Sequence, residues 1–281
     1  MSKQKVVISG AGLWNPEHAI SNEELVDSYN QFAELYNQQH ATEIEAGELE
    51  AKPLSSAEFI EKASGIKSRY SYSKEGVLDP TRMRPQLPER SDEELSHQAE
   101  MALAAAEKAL AEAQKSPKEI DAVIVSCAYT QRSYPAIAIE VQAALNIKGF
   151  AFDMLVACSA ATFALHRAYE MVAAGTAKAV LVINPELTSP QVNYKDRDSH
   201  FIFGDVATAT VIEQAETCQS EHSYEILGIK AQTQYSNNIR SNFGYLSHVT
   251  DVDPYSADKL FHQNGRKVFK EVCPMAAEHL T

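Results

Sequence analysis

No apolar run in this sequence approaches the ~18 residues that a membrane-spanning helix needs, so no membrane span is expected. Positive charge is scarce as well: 25 Lys and Arg stand against 38 Asp and Glu, a formal net charge of −13. A phosphate backbone must be met by cations, which argues against general nucleic-acid binding. An acidic protein partner would need a local basic patch set against that global field. The four cysteines, Cys127, Cys158, Cys218 and Cys273, form no CxxC pair. That spacing disfavours a zinc site or a disulfide framework, and no metal is expected. Gly10-Ala11-Gly12 lacks the third glycine of a dinucleotide fingerprint, because position 15 is Asn15. A G-x-S-x-G elbow is also missing, which removes the common serine-hydrolase reading. The start, Met1-Ser2-Lys3-Gln4-Lys5, has neither the apolar core nor the cleavage site of a signal peptide, so a cytoplasmic protein is expected.

What is present is an ordinary globular composition, 44% hydrophobic and 22% charged, in a chain of 281 residues that is long enough for a large core. Residues 5–9 read as a short buried strand and residues 22–36 as a helix, followed by a polar surface excursion to about residue 52. Residues 69–90 carry three prolines and read as a long loop. Ser91 with Glu94 forms a capping-box pattern, and Leu95, Ala99, Leu103, Ala106 and Leu110 follow on one face, predicting a helix from residue 91. Strands are then expected at 122–126, 150–157, 179–183 and 207–213, with helices at 136–145 and 160–174. Strand and helix alternating in short steps predict an α/β fold with a parallel sheet and helices on its faces. Residues 214–223 read as a linker, 224–231 as a strand opening a second half, and 259–280 as a helix kinked near Pro274.

Cys158 falls where an apolar strand hands over to a helix, the edge at which ligand sites of open α/β sheets gather. Amide N–H groups and the helix dipole favour a thiolate there. The small flank Ala157-Cys158-Ser159-Ala160-Ala161 leaves room for an acyl chain and for amides to approach an oxyanion. Position alone leaves a second reading open, a small cysteine packed in the core. Cys127 also follows a strand, but no helix starts directly after it, and it reads as structural. Cys218, in the linker, and Cys273, on the last helix, have no reason to be reactive.

The segment Asp153-Met154-Leu155-Val156-Ala157-Cys158-Ser159-Ala160-Ala161-Thr162-Phe163-Ala164-Leu165 resembles the nucleophile segment of β-ketoacyl-acyl-carrier-protein synthase III. Other segments match that family in the same order. They are Phe59 to Arg69, Ser133-Tyr134-Pro135 with the helix after it, Asp196-Arg197-Asp198, Phe203-Gly204-Asp205-Val206-Ala207, and Asn264 to Lys270. The resemblance implies a thiolase-like layered αβαβα fold, with residues 1–215 as the half carrying the nucleophile and 222–281 as the start of a second, incomplete half. It implies that Cys158 takes an acyl group from an acyl-coenzyme A substrate. Malonyl-carrier protein is then decarboxylated, and its carbanion attacks the acyl-Cys158 thioester. No permanently bound cofactor is implied.

A homodimer is implied too, with the strand before Cys158 pairing across the two-fold and Tyr134 in an acyl pocket shared between subunits. Without the resemblance Tyr134 is a surface tyrosine. Arg197 corresponds to an arginine that contacts the coenzyme A adenine, and otherwise reads as a solvated surface group. Phe59 stands where the family commonly has a tryptophan stacked on that adenine. The family's catalytic histidine, in a His-Gln-Ala-Asn motif, and its asparagine are not found. His262-Gln263-Asn264 lacks the alanine and precedes the wrong segment, so His262 reads as a helix-opening residue. From this, acylation of Cys158 without efficient condensation is expected. Arg266, Lys267 and Lys270 form either a carrier-protein patch or a solvated helix face. The excursion between Asn30 and Lys52 points to a specialised acyl donor. Two further readings stay open: a related synthase acting on coenzyme A thioesters alone, and a non-catalytic acyl-thioester binder.

Overall fold

A computed structural model describes residues 4–241, 253 and 255–280. The first strands are β1 (Val6–Trp14), β2 (His18–Ser21), β3 (Ser68–Ser71), β4 (Ala122–Cys127) and β5 (Phe150–Leu155). They are followed by β6 (Ala179–Leu187), β7 (Asp205–Gln214), β8 (Tyr224–Glu225), β9 (Ile239–Ser241) and β10 (Phe261–Gln263). The helices are α1 (Asn22–Gln39), α2 (Ala41–Glu45), α3 (Ala57–Ser64) and α4 (Glu75–Leu78), then α5 (His97–Glu112), α6 (Ile137–Ala144), α7 (Ala160–Ala173) and α8 (Gly265–Leu280). They fall into two compact units, each assembled from separate stretches of chain.

The first unit takes Met1–Pro16, Pro88–Leu187 and Asp205–Ala231. Its six-stranded sheet has the order β5-β4-β6-β7-β1-β8. The expected α/β architecture is present, but the sheet is mixed. β4 runs parallel to β5 and β6, whereas β7 is antiparallel to both β6 and β1. No crossover helix separates β6 from β7, and without one a neighbouring strand returns in the opposite sense.

Alternate residues Ala122, Ile124, Val180, Val182 and Ile212 meet Ala164, Ala168, Met171 and Val172 of α7 in one core cluster. The intervening Val123, Val125, Leu181 and Ile183 are equally buried on the other face, where α5 packs. α5 presents alanines there: Ala99, Ala102, Ala105, Ala106 and Ala109 are all fully buried. A bulge in β1 between Ile8 and Gly10 turns Gly10 and Gly12 toward this helix. A Cβ on Gly12 would collide with the Ala105 carbonyl oxygen, and one on Gly10 with that of Ala109. Beyond α5, Lys115 Nζ sits 2.9 Å from Glu213 Oε2 on β7, with side chains 3% and 0% exposed. Lys115 also donates to the Thr217 carbonyl.

α5 starts at His97, with the Ser96 hydroxyl accepting from Ala99 N–H, and not at residue 91. The Ser91 N–H does donate to Glu94 Oε2 at 2.8 Å, but in an isolated turn whose residues are largely exposed. The predicted strand over 224–231 is only Tyr224–Glu225.

The second unit takes Glu17–Leu87, Thr188–Gly204 and Gln232–Thr281. α1 carries a complete capping box, Ser21 with Glu24, and runs to Gln39. Its apolar face (Leu25, Val26, Tyr29, Ala33) packs with Ile60, Val77, Met83, Val192, Tyr194 and Phe201. β2 and β3 pair antiparallel, and the buried Arg69 of β3 donates to the carbonyls of Ile20 and Ser21 and to Asn22 Oδ1. β9 pairs with β10, and α8 contains Pro274.

Candidate active site

The strand β5 leads up to Leu155, and the chain then leaves the sheet through Val156 (φ −133°, ψ 23°). Ala157 follows with a left-handed φ of 45°. That conformation puts Cβ close to the carbonyl oxygen and costs of the order of 1–3 kcal/mol in a non-glycine residue. It reverses the chain within one 3-10 turn, closed by the Ser159 N–H donating to the Val156 carbonyl at 3.1 Å. α7 begins at Ala160. Cys158 stands at the crest of this elbow and is exposed. Ser159, at the cap position, makes no side-chain cap, and no acidic residue lies in the first turn of α7. The early amide N–H groups of a helix lack partners within the helix; in α7 the Ala160 N–H is taken by the Ala157 carbonyl of the 3-10 turn, and the next amides of the first turn have no i−4 partner inside α7.

Cys127 is the opposite case. It is buried at the end of β4, its Sγ donates to the Tyr129 carbonyl at 3.0 Å, and burial pushes its thiol far above the ordinary range. The structural reading of Cys127 holds.

Two carboxylates behind the elbow were not singled out from the sequence. Asp153 of β5 accepts from the Ile137 and Ala138 N–H groups at 2.9 and 2.8 Å, capping α6. Burial raises its pKa, and those two bonds oppose the rise. Glu186 of β6 accepts from the Ala128 N–H, and burial pushes its pKa up to about 7. An acidic residue within an apolar strand was the available signal for both. Tyr134 precedes α6 and is 86% exposed.

Phe59 and Arg197 belong to the second unit, where they touch. The Arg197 guanidinium carbon lies 3.8 Å from the Phe59 ring centroid, and Arg197 Nε donates to the Leu54 carbonyl at 2.8 Å. His200 holds the loop carrying Arg197. Its Nδ1 lies 3.0 and 2.9 Å from the carbonyls of Asp196 and Arg197, and its ring stacks on Tyr29. Burial pushes the His200 pKa down to about 4, which keeps the imidazole neutral. His262 lies on β10 opposite Arg240, and Asn264 Oδ1 caps α8 by accepting from the Lys267 N–H. The residue that opens the helix is therefore Asn264. Among the described residues no cluster of His, Cys, Asp and Glu is arranged to hold a metal ion, and no helix is long and apolar enough to cross a membrane.

Comparison with known proteins bears on this arrangement. A family model described as 3-Oxoacyl-[acyl-carrier-protein (ACP)] synthase III matches residues 152–234, a stretch holding both Cys158 and Arg197. A beta-ketodecanoyl-[acyl-carrier-protein] synthase of Pseudomonas aeruginosa is 54% identical over 253 residues, covering 90% of this chain and 72% of that protein. A beta-ketoacyl-[acyl-carrier-protein] synthase III of Rhodobacter capsulatus is 34% identical, covering 84% of this chain and 65% of that one. The crystal structure of the Aquifex aeolicus 3-oxoacyl-[acyl-carrier-protein] synthase III matches with a TM-score of 0.61 and 26% identity, over 98% of this chain and 71% of that one. The chain thus spans roughly two thirds to three quarters of the length of these relatives.

Proposed function

The chain belongs to the 3-oxoacyl-[acyl-carrier-protein] synthase III family of thiolase-fold condensing enzymes, and from that membership we propose that Cys158 accepts the acyl group from a coenzyme A thioester. The observation carrying this reading is an exposed thiol on a left-handed elbow at the start of α7. The Cys158 thiolate attacks the thioester carbonyl, a new carbon–sulfur bond forms, and coenzyme A leaves as its thiol after taking a proton. The amides at the start of α7 stabilise the oxyanion between these events. Malonyl-carrier protein then loses carbon dioxide, and its α-carbon displaces Cys158 Sγ to release the β-ketoacyl-carrier protein. The groups promoting that second step are not assigned to residues of this chain.

Primer length is proposed from the Pseudomonas relative, whose name specifies a ten-carbon β-keto product. Two of those carbons come from the malonyl unit, which leaves a primer of eight for an octanoyl donor. Arg197 and Phe59 are proposed as the adenine clamp, because a guanidinium stacks on any planar aromatic face. Tyr134 is proposed to line the acyl pocket in a homodimer. β5 is an edge strand with Phe150 and Leu155 exposed, and pairing with a second β5 would satisfy its free side. The division into halves at about residue 215 and a cytoplasmic location belong to the same reading.

The test is incubation of the protein with acyl-coenzyme A donors of graded length, read by intact mass spectrometry and peptide mapping. One octanoyl group is expected on Cys158, and none in Cys158→Ala. Loading confined to Cys218 or Cys273, or no loading at any length, would overturn the assignment.

A further inference from the structure

The second unit contains a cavity of about 970 Å³, within the range of small-molecule sites. Its lining comes from four stretches of chain: the face of α1 with the segment after it, residues 81–84, residues 190–195, and the set Asp253, Tyr255, Ala257 and Leu260. Four cations line it, Lys52, Arg82, Arg84 and Lys195, with Asp253 as the lone carboxylate. That balance inverts the composition of the chain, where acids exceed bases by 38 to 25. None of the four is ion-paired among the described residues, although Lys67, Lys74 and Arg197 each find a carboxylate.

The cations are held by something other than counter-charges. Lys52 Nζ lies 4.7 Å from the Tyr36 ring centroid and 5.6 Å from that of Phe32, and Lys195 Nζ lies 5.4 Å from the same Phe32 ring. Two like charges therefore share one aromatic ring. The backbone of Lys52 is fixed by a reciprocal pair of bonds with the Asn37 amide, at 2.8 and 3.0 Å. Arg82 donates to the carbonyls of Arg84 and Pro85, and Arg84 stacks on Tyr255 at 3.8 Å. Four cations gathered around a single lining carboxylate repel one another, and the repulsion is relieved when an anion enters. Multiple ammonium and guanidinium donors match the acceptor oxygens of phosphoryl groups, and the ring faces suit a planar base.

We infer that this cavity is a binding site for a phosphorylated, nucleotide-sized anion, held by Lys52, Lys195, Arg82 and Arg84. It shares no residue with the Phe59–Arg197 pair. Failure of this site therefore leaves the acyl-transfer reading standing, and failure of Cys158 loading leaves this site standing. A concave pocket of this size suits a small ligand better than the convex surface of a folded partner.

The probe is inorganic pyrophosphate, titrated calorimetrically into the full chain at low ionic strength. Saturable binding at one site is expected. Lys52→Gln combined with Lys195→Gln should weaken it at least tenfold, while Lys52→Arg with Lys195→Arg retains it and Phe59→Ala leaves it unchanged. Loss in the Gln pair with retention in the Arg pair separates charge from folding. Absence of saturable binding, or equal binding by the Gln pair, would overturn the inference. Binding of an acidic carrier protein that depends on both lysines and is not displaced by pyrophosphate would overturn it in favour of a protein partner.

Discussion

In the first unit, alanines of α5 and aliphatic strand residues close on one another so tightly that glycines at 10 and 12 are needed where backbones meet. In the second, the core is built around Tyr29, Tyr194, Phe201 and His200, with a buried arginine, Arg69, tying β2 to β3. The first arrangement relies on shape, and the buried Lys115–Glu213 ion pair acts as a rivet at the edge. The second relies on rings and polar groups taken out of water, whose energies depend on protonation and on nearby charge. The contrast matches the chemistry proposed for each: a thiol that must be aimed, and loops that must grip charged ligands.

The contrast breaks most sharply at the rivet. Lys115→Met strands Glu213 as an unpaired buried carboxylate, and a loss of about 3–5 kcal/mol is expected in urea unfolding. Adding Glu213→Leu should recover most of it. A destabilisation below about 1 kcal/mol in the single variant would show that the pair is not buried in solution. Next comes Gly12→Ala, whose new methyl meets the α5 backbone, and a cost of about 1–3 kcal/mol is expected by the same measurement. A neutral result would mean that the α5 packing is looser than described.

The last comparison concerns pH, where the two units have opposite signs. His200 has a folded-state pKa near 4, below its ordinary 6.5, so the folded state binds fewer protons in between and stability falls as pH drops from 6.5 toward 4. Glu186 has a folded-state pKa near 7, above its ordinary 4.5, so the folded state binds more protons and stability falls as pH rises from 4.5 toward 7. Urea midpoints across that range should lose their acid slope in His200→Gln and their alkaline slope in Glu186→Gln. Unchanged slopes in either variant would assign the pH dependence to other groups.

Much of the first unit could be read directly from the residues. The boundaries of α6, α7 and the elbow at Cys158 fall close to expectation, because an apolar run followed by small residues and a 3.6-residue pattern marks a strand handing over to a helix. Strand direction could not be read, since a strand buried on both faces carries the same pattern whichever way it runs. The start of α5 was misplaced because Ser91 and Ser96 both offer capping chemistry. Only after Ser96 is there a sheet for the helix to cover. Tyr224 and Glu225 pair with Ile8 and Val7 and the Ile226 N–H donates to the Val6 carbonyl, but among the described residues the ladder goes no further. Contacts between distant segments, such as the His200 ring stacked on Tyr29, leave no trace in local pattern.

The left-handed turn at Ala157 has a practical consequence. The direction in which the Cys158 side chain leaves the backbone is set by main-chain torsion one residue earlier, and side chains lining the proposed acyl path can be exchanged without changing it. Attempts to redesign chain-length preference can therefore leave residues 156–159 alone and treat them as a fixed mount.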